Sequence, residues 1–369
     1  MALKTILFLL NRECTYLPPF MAILDSLCGE YALKVISYET SGGKEDLEKM
    51  YQDKNVVFLS SVLQDNQVTF ICRLKRKLRR CLRIQSEWHR EAVKLIESTH
   101  YDLLWVVNET TAVEYAKELR REKYVLNIFE LYDIVPSFLK ELKPLAQRAH
   151  AVIVPEYNRA CMLKFWLQLD RIPRVIPNKP VFHPGKINID NDWSNQLIGK
   201  KILLYQGYIN RNRNVEAICR AVEGISGWTM VLMGKGENDY LEYLKSNYPH
   251  LIHIGYINPP HHLDITSWAR IGVVKYDWFD LNHVYCAPNK TWEYAGFGIP
   301  MIGNELPGLR YSIGQFKAGV LADLDDPETI KEAIAEIDSH YDEYRNNAQQ
   351  FYNSCSVELL IRSVAKDNC

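Results

Sequence analysis

The segment Ala287–Gly303, APNKTWEYAGFGIPMIG, contains a cation, Lys290, and a carboxylate, Glu293, three residues apart. This spacing places both side chains on one face of a helix. Pro288 stops an extended segment, and Asn289 can cap a helix that begins at Lys290. The free backbone N–H groups and positive dipole end of such a helix suit a diphosphate, and Lys290 adds a full charge. Glu293, one turn deeper on the same face, can accept hydrogen bonds from two vicinal ribose hydroxyls. The pattern predicts a nucleotide site; a helix start with a solvated lysine and glutamate is the alternative.

These residues need a framework, and the first half of the chain alternates short apolar runs with helix-compatible stretches. Such alternation predicts a parallel sheet covered by helices on both faces. Strands are expected at Thr5–Leu10, Leu33–Tyr38, Val56–Leu59, Leu103–Val107, Val125–Phe129 and Ala151–Val154, with helices between them, for example at Arg73–Ser98 and Ala112–Glu122.

A change of composition divides the chain near its middle. Two prolines in RVIPNKP (174–180) and a polar stretch that runs to Asn195 indicate a linker. A second α/β series follows, with strands expected at Lys201–Tyr205, Thr229–Met233, Ile252–Ile254, Gly272–Lys275 and Met301–Ile302, and helices at Asn214–Val222, Asp239–Ser246, Leu263–Trp268, Asn289–Gly296, Pro327–Ile337 and, in one or two pieces, Asp342–Val364. We predict two doubly wound α/β domains, 1–180 and 181–345, with a C-terminal helix at about 345–369 joining the first. Ligands are expected in a crevice between the carboxyl ends of the two sheets.

The pattern P-x-K-x-x-E-Y-x-x-x-G-x-P-x-I, from Pro288 to Ile302, resembles the donor-binding segment of GT-B glycosyltransferases. The likeness is greatest to the group 1 enzymes that build bacterial capsule and lipopolysaccharide chains. It implies the GT-B fold, in which two Rossmann-like domains face a central cleft and the second binds a nucleotide sugar. In this resemblance Glu293 takes the place of the glutamate that holds the nucleotide ribose, with Asn289 and Lys290 beside the diphosphate.

The segment LLYQGYINRNRNVEA (203–217) resembles the family's first donor-domain strand and the loop after it. The basic residue that clamps the diphosphate in the family falls on Arg213 when Gly207 and the helix start are aligned, and Arg211 is a second candidate. Many members also carry an arginine directly after the glycine, where this chain has Tyr208. A solvated basic loop is the alternative.

The segment HIGYI (253–257) resembles the strand and loop whose backbone contacts the nucleotide base, which implies that Tyr256 and Ile257 lie beside it. Ordinary sheet-and-turn structure is the alternative. Retaining members of the family often have two glutamates separated by seven residues. This chain has Tyr285 at the first position, so that carboxylate is missing and Tyr285 takes its place among the donor-binding residues.

Two carboxylates of the first half are candidates for the catalytic base. Glu130 follows the strand Val125–Phe129 and Glu109 follows the strand Leu103–Val107, so both are expected near the crevice. Related enzymes often have a histidine before the first of these glutamates, where this chain has Phe129. An inverting reaction needs a base, whereas in a retaining reaction the leaving phosphate can take the proton. A helix-capping or surface carboxylate is the alternative for both.

The segment RLKRKLRRCLR (73–83) contains seven Arg or Lys and no acid. Its apolar residues recur at helical spacing, which predicts an amphipathic helix with a positive face. Such a helix can dock on an anionic membrane, with about 1 kcal/mol from each nearby basic residue, or pack on the sheet as a solvated helix. Nucleic acid is not an expected partner because the rest of the domain is not basic.

Composition limits the remaining possibilities. Of 369 residues, 47% are hydrophobic and 24% charged, as in ordinary soluble proteins, and no apolar run approaches the roughly 18 residues that span a bilayer. The nine cysteines are scattered without a Cys-x-x-Cys pair, which favours reduced thiols in the cytoplasm over disulfides or zinc. No credible Asp-x-Asp metal motif is present, so we expect neither a metal nor a cofactor.

The sequence therefore predicts a metal-independent hexosyltransferase that moves a sugar from a nucleoside-diphosphate sugar to a glycan or lipid-linked acceptor. Surface polysaccharide synthesis, in the cytoplasm or at the inner face of the plasma membrane, is the expected setting. Two other hypotheses remain: a catalytically degenerate relative that acts as a binding subunit, and a nucleotide-sugar epimerase with the same fold. A phosphorylase has no support in the sequence.

Overall fold

The computed structural model describes residues 3–59, 62–63, 87–185 and 193–369. The basic segment 73–83 lies outside the described residues, as does the predicted helix Arg73–Ser98 before Glu87. The chain forms two compact units: Met1–Pro177 with Val357–Cys369, and Asn178–Ser356. The described part of the chain contains no helix with the length and apolar character needed to cross a membrane.

Strands and helices alternate through both units. The strands are β1 Thr5–Leu9, β2 Ala32–Ile36, β3 Glu39–Thr40, β4 Val56–Phe58, β5 Val62–Leu63, β6 Leu103–Val106, β7 Tyr124–Asn127, β8 Ala151–Val154, β9 Arg174–Val175, β10 Lys201–Gln206, β11 Trp228–Met233, β12 Ile252–Ile254, β13 Ile271–Val274, β14 Met301–Gly303 and β15 Gly319–Leu321. The helices are α1 Pro18–Leu27, α2 Ser41–Met50, α3 Glu87–Ser98, α4 Glu109–Glu114, α5 Pro136–Arg148, α6 Tyr157–Trp166, α7 Ser194–Leu197, α8 Glu216–Glu223, α9 Asn238–Asn247, α10 His262–Thr266, α11 Leu281–Val284, α12 Asn289–Gly296, α13 Pro307–Leu309, α14 Pro327–Ser339, α15 Tyr341–Asn353 and α16 Val357–Asn368. Shorter turns are 3-10 at Cys14–Tyr16, Glu118–Arg121 and Arg211–Arg213, and π-helical at Arg310–Gln315.

The first unit is built on a seven-stranded sheet in the order β4-β2-β1-β6-β7-β8-β9, beside the small pair β3-β5. All its strand pairs are parallel, and β1 lies between β2 and β6. The residues of β6 are all buried and apolar because helices cover both faces of such a sheet. Strand order reverses between β1 and β6, so the residues that follow these strands border a topological switch point. Glu109 is one of them.

The second unit has a six-stranded parallel sheet in the order β12-β11-β10-β13-β14-β15. Successive residues of β10 face opposite ways: Leu203 packs in the apolar cluster on one face and Leu204 in the cluster on the other. Here the order reverses between β10 and β13. Gly207 follows the first of these strands and Lys275 follows the second, so both border the switch point.

The predicted strands agree with the observed ones to within two residues at each end. One helix prediction, Ala112–Glu122, is wrong: α4 begins at Glu109 and ends at Glu114, and a 3-10 turn follows. The reason is Asn108, whose side chain accepts a hydrogen bond from the Thr111 N–H and so starts the helix earlier. The chain passes into the second unit after Pro177 and returns after Ser356, so α15 belongs to the second unit and α16 to the first.

Candidate functional site

Helix α12 begins at Asn289, the first residue of the predicted helix Asn289–Gly296 and one residue before the start at Lys290 that a capping Asn289 implies. Its N-cap is Pro288, in an extended conformation (φ −74°, ψ 137°), and Asn289 is the first helical residue. The predicted capping role of Asn289 is therefore wrong, because the fixed φ of the proline makes it the natural last extended residue. No side chain caps the helix, and the Thr291 hydroxyl donates to the Pro288 carbonyl at 2.8 Å. The Thr291 N–H also donates to the Pro288 carbonyl at 3.4 Å, so among the described residues the Asn289 and Lys290 N–H groups are left to an anion or to water.

Lys290 is buried at this helix start, with 9% of its surface exposed. Its Nζ lies 5.1 Å from the ring centroid of Tyr205 and 5.5 Å from that of Tyr276, so two aromatic faces stabilise the charge. Burial and, to a smaller extent, the nearby Arg213 charge lower the pKa of Lys290 to about 7, although the Glu293 carboxylate acts the other way. A buried ammonium in this state gains most from a ligand that carries negative charge.

Arg213 lies beside the ring of Tyr276, which also contacts Lys290. It ends the 3-10 turn after β10, where its backbone N–H donates to the Asn210 side chain at 3.0 Å. Its guanidinium carbon is 5.3 Å from the Tyr276 centroid, so Lys290 and Arg213 share one aromatic partner. Among the described residues, neither cation forms an ion pair with a carboxylate, although the nearby Lys275 forms two. Two neighbouring cations with aromatic rather than acidic partners are suited to bind an anion.

Gly207 lets the backbone approach these cations. Its φ is +146°, and a Cβ at this position would lie 3.2 Å from Lys290 Nζ. On its other side is Gly234, at φ +144°, whose Cβ would lie 2.0 Å from the Gly207 carbonyl oxygen. The turns after β10 and β11 therefore pass each other with no room for a side chain.

Glu293 is buried, and both carboxylate oxygens have partners. The Gln206 side-chain amide donates to one, and His262 Nε2 lies 3.3 Å from the other. Gln206 is itself oriented by the Thr266 hydroxyl, which donates to its Oε1 at 2.9 Å. The Nδ1 atom of His262 is buried with no hydrogen-bond partner among the described residues. The carboxylate is thus held in one orientation before any ligand binds.

Sequence reasoning missed Gln206, His262 and Tyr276. Gln206 is the last residue of β10, directly before the glycine that was singled out, so its position at the strand end was an available signal. His262 starts α10 and Tyr276 follows β13, and neither shares a local motif with Glu293 or Arg213. Only the pairing of β10 with β13 and the packing of α10 bring them together.

Two other predicted residues, Arg211 and Tyr256, have partners outside this cluster. Arg211 pairs with Asp239 at 3.3 Å, and its guanidinium carbon lies 5.1 Å from the Tyr240 ring, toward helix α9. Tyr256 is 42% exposed, and the Nζ of Lys235 lies 4.6 Å from its ring.

Two more predicted residues have mainly structural contacts. Ile257, predicted beside the base, packs in part against the apolar core of the second unit. Tyr285 is half-buried at the end of α11, where its N–H donates to the Leu281 carbonyl at 2.9 Å. These contacts leave the proposed roles of both residues as predictions.

In the first unit, Glu109 begins α4 and is 2% exposed. Its Oε2 accepts a hydrogen bond from the Phe129 backbone N–H at 2.8 Å. Burial raises the pKa of Glu109 to about 7, although the Phe129 hydrogen bond acts the other way. The carboxylate in turn helps burial to raise the pKa of Tyr132, a residue in the left-handed region at φ +54°. Glu109 can therefore change protonation near neutral pH.

Glu130 has a different environment. Its side chain is 52% exposed, and its carboxylate lies 3.7 Å from a guanidinium nitrogen of the buried Arg159. Arg159 also donates to the Phe129 carbonyl. Arg159 was not predicted, and it fixes the segment that carries both Phe129 and Glu130.

The described residues contain no group of three or more His, Cys, Asp or Glu side chains placed to hold a metal ion. The expectation of a metal-independent reaction stays a prediction. The cations described above supply positive charge of their own at the start of α12.

Solved structures define the class of fold. HepE from Anabaena, in complex with UDP-glucose, has a TM-score of 0.72 over 98% of both chains, at 14% identity. Sucrose-phosphate synthase from Thermosynechococcus elongatus has a TM-score of 0.66 at 16% identity, over 99% of this chain and 98% of the other. A UDP-glucosyltransferase from Polygonum tinctorium has a TM-score of 0.61 at 13% identity, over 98% of both chains. The fold is that of the GT-B glycosyltransferases, which confirms the prediction.

A family model matches part of the second unit. Residues 200–339 match the model of the glycosyl transferases group 1 family. That range contains Gly207, Arg213, Lys290 and Glu293. No curated protein sequence matches the chain. The resemblance drawn from the motif at Pro288–Ile302 is confirmed.

Proposed function

We propose that the chain transfers a hexosyl group from a UDP-sugar to a glycan or lipid-linked acceptor, without a metal, in the synthesis of a surface polysaccharide. The observation that carries this proposal is the pair Lys290 and Arg213 near the start of α12, one turn from Glu293. Within the described ranges of the chain, neither cation has an acidic partner in an ion pair. The complexes of HepE with UDP-glucose and with UDP support a uridine nucleotide as the donor.

In this mechanism the cations stabilise the leaving group. Negative charge grows on the departing diphosphate in the transition state, and donors fixed beforehand lower the barrier without having to reorganise. Lys290 and Arg213 supply the charge, and the first-turn N–H groups of α12 supply further donors. The absence of a side chain at Gly207 allows the diphosphate to approach the backbone, and the glycine at 234 leaves room for the Gly207 carbonyl. Asn289 lies beside it as the first helical residue.

The ribose is assigned to Glu293, whose carboxylate Gln206 and His262 hold in place. The base is assigned to the loop after β12, with Tyr256 and Ile257 beside it, and Tyr285 contacts the sugar. Of the two candidate bases we favour Glu109 over Glu130. Glu109 is buried and its pKa of about 7 suits proton transfer at neutral pH, whereas Glu130 is half-exposed and paired with Arg159.

Docking on an anionic membrane through the segment 73–83 is part of the proposal and rests on its seven basic residues. A lipid-linked acceptor would be met at such a surface. Co-sedimentation with phosphatidylserine vesicles tests this docking. We expect the protein in the pellet, and protein that stays in the supernatant contradicts membrane docking.

Titration calorimetry tests the donor site. We expect UDP to bind the wild type more tightly than GDP or CDP, and Lys290→Met to weaken UDP by at least about 30-fold, as expected for the loss of a buried charged contact. Uridine, which has no phosphate, should bind both proteins equally. Lys331→Met is the matched control, because this lysine pairs with Glu328 on the surface of α14. Equal UDP affinity in all three proteins would overturn the proposal.

Measurements of turnover distinguish the proposed transferase from the two other hypotheses, a binding subunit and an epimerase. A degenerate binding subunit would bind UDP and release none from a UDP-sugar with any acceptor. An epimerase would interconvert UDP-sugars with no acceptor present.

A further inference from the structure

Lys275 is a fully buried charge that belongs to none of the sequence motifs. It follows β13, its exposed fraction is 0%, and its Nζ lies 2.9 Å from Asp325 Oδ1 and 3.5 Å from Asp277 Oδ1. Taking an ammonium out of water is costly unless acidic partners accompany it. These two ion pairs are therefore required by the burial of Lys275. The pair with Asp277 lies within the segment that follows β13, and the pair with Asp325 connects this segment to a distant part of the chain.

The first ion pair, Lys275–Asp325, reaches the turn that carries Arg213. Asp325 Oδ1 also accepts a hydrogen bond from the Asn214 side chain at 2.7 Å. Asn214 directly follows Arg213, has a left-handed backbone (φ +39°), and its N–H donates to the Arg211 carbonyl at 3.0 Å. Burial alone would raise the pKa of Asp325, but the hydrogen bonds from Lys275 and Asn214 outweigh it and keep the carboxyl ionised.

The second ion pair, Lys275–Asp277, lies on either side of Tyr276 in the chain, the residue whose ring contacts both cations of the site. Tyr276 stands between Lys275 and Asp277 in the chain, and its N–H donates to the Asn304 side chain at 3.1 Å. Its ring is the one shared by Arg213 and Lys290, at 5.3 and 5.5 Å. One buried lysine thus connects the segment of Tyr276 with the turn of Arg213.

We propose that Lys275 and Asp325 are positioning residues, which hold the Arg213 guanidinium against Tyr276 in the geometry that receives the diphosphate. This inference rests on the proposed role of Arg213. Neither residue contacts the nucleotide; both act through the turn 211–214 and through Tyr276. A displacement of about 1 Å in a charged group can cost as much as 10²-fold in rate. Loss of the contacts of Asp325 with Lys275 and Asn214 should therefore have a measurable effect at the diphosphate site.

A double-mutant cycle on UDP affinity tests the inference. Asp325→Ala should weaken UDP about tenfold in the wild type and less than about twofold in the Arg213→Ala background, because residues that act through one another are not additive. Asp325→Asn retains an acceptor for Asn214 and should fall between the wild type and the alanine variant. A merely structural role for Asp325 would give the same loss in both backgrounds, and that result would overturn the proposal.

Two further variants keep the test decisive. Asn214→Gly removes the hydrogen bond to Asp325 without leaving Lys275 unpaired. Glycine suits the left-handed backbone at position 214, so this variant replaces Asp325→Ala in the test if Asp325→Ala does not fold. Asp338→Ala is the control: this carboxylate pairs with Lys201 and Arg270, each at 2.6 Å, at the opposite, amino-terminal edge of the sheet. It should lower Tm and leave UDP affinity unchanged. If Arg213→Ala itself binds UDP normally, the proposed function fails; if only the cycle is additive, the positioning role alone fails.

Discussion

The two units place opposite charges at the same position of similar sheets. Glu109 borders the switch point of the first sheet, and Lys290 lies at the switch point of the second, beside the glycine after β10. Burial displaces both pKa values toward about 7, from below for the carboxyl and from above for the ammonium. They differ in their partners: a backbone N–H holds Glu109, whereas aromatic rings and a second cation surround Lys290. The first environment suits proton transfer and the second suits a bound anion.

The largest effect is expected when the carboxyl of the first unit can no longer take a proton. Glu109→Gln keeps an acceptor for the Phe129 N–H, and kcat should fall by about 10² or more while UDP affinity stays within about twofold, as for loss of a general base. Glu130→Gln is the matched control and should change kcat less than about threefold. Equal rates for wild type and Glu109→Gln would instead assign the proton to the leaving phosphate.

An intermediate effect is expected from pH at the second unit. Free Lys290 has its pKa lowered to about 7, and a bound diphosphate favours the charged form, so UDP affinity should be highest below pH 7. Above pH 7 it should fall by up to about tenfold per pH unit, until the pKa of the complex is reached. The Kd of UDP between pH 6 and 9, by calorimetry, measures this.

The variant Lys290→Arg remains charged throughout this range and should remove the slope. The stability of the ligand-free protein changes with pH in the opposite sense to the UDP affinity. Between pH 7 and 10.5 the unfolded chain binds the proton that folded Lys290 has lost, so the free energy of unfolding rises with pH. A flat affinity profile in the wild type would place Lys290 outside the diphosphate site.

The smallest effect is expected at the ribose. Glu293→Gln removes the charge but keeps the shape, and it should weaken UDP about tenfold, the value of one charge-assisted hydrogen bond. A 2′,3′-dideoxy analogue of UDP should bind wild type and variant within about twofold of each other. Glu305→Gln, at an exposed carboxylate that pairs with Arg310, is the control. The same loss with both nucleotides would contradict a ribose contact.

Part of the geometry at the start of α12 could be predicted from the sequence because the motif there is local. Lys290 and Glu293 lie three residues apart on one helix, so their common face follows from helix geometry alone. Arg211 and Arg213 show where such reasoning stops. In a 3-10 turn successive residues are about 120° apart, so two arginines separated by one residue point in different directions, and the sequence does not say which one faces Lys290.

The first unit shows the limit more clearly. The strands that carry Glu109 and Glu130 were predicted to within two residues, yet both glutamates simply follow apolar runs in the sequence. Their burial differs because Glu109 turns inward onto the Phe129 N–H, whereas Glu130 reaches outward to Arg159. Such contacts between segments that are distant in the sequence appear only in the folded chain, and the same holds for the contact of His262 with Glu293.

The facing glycines after β10 and β11 affect how variants can be interpreted. Any side chain at Gly234 would collide with the Gly207 carbonyl, and one at Gly207 would crowd the ammonium of Lys290. A substitution at Gly234 would therefore push aside a turn that precedes Arg213 by only a few residues. Lost nucleotide binding in such a variant would report a displaced main chain, even though position 234 need never touch the nucleotide.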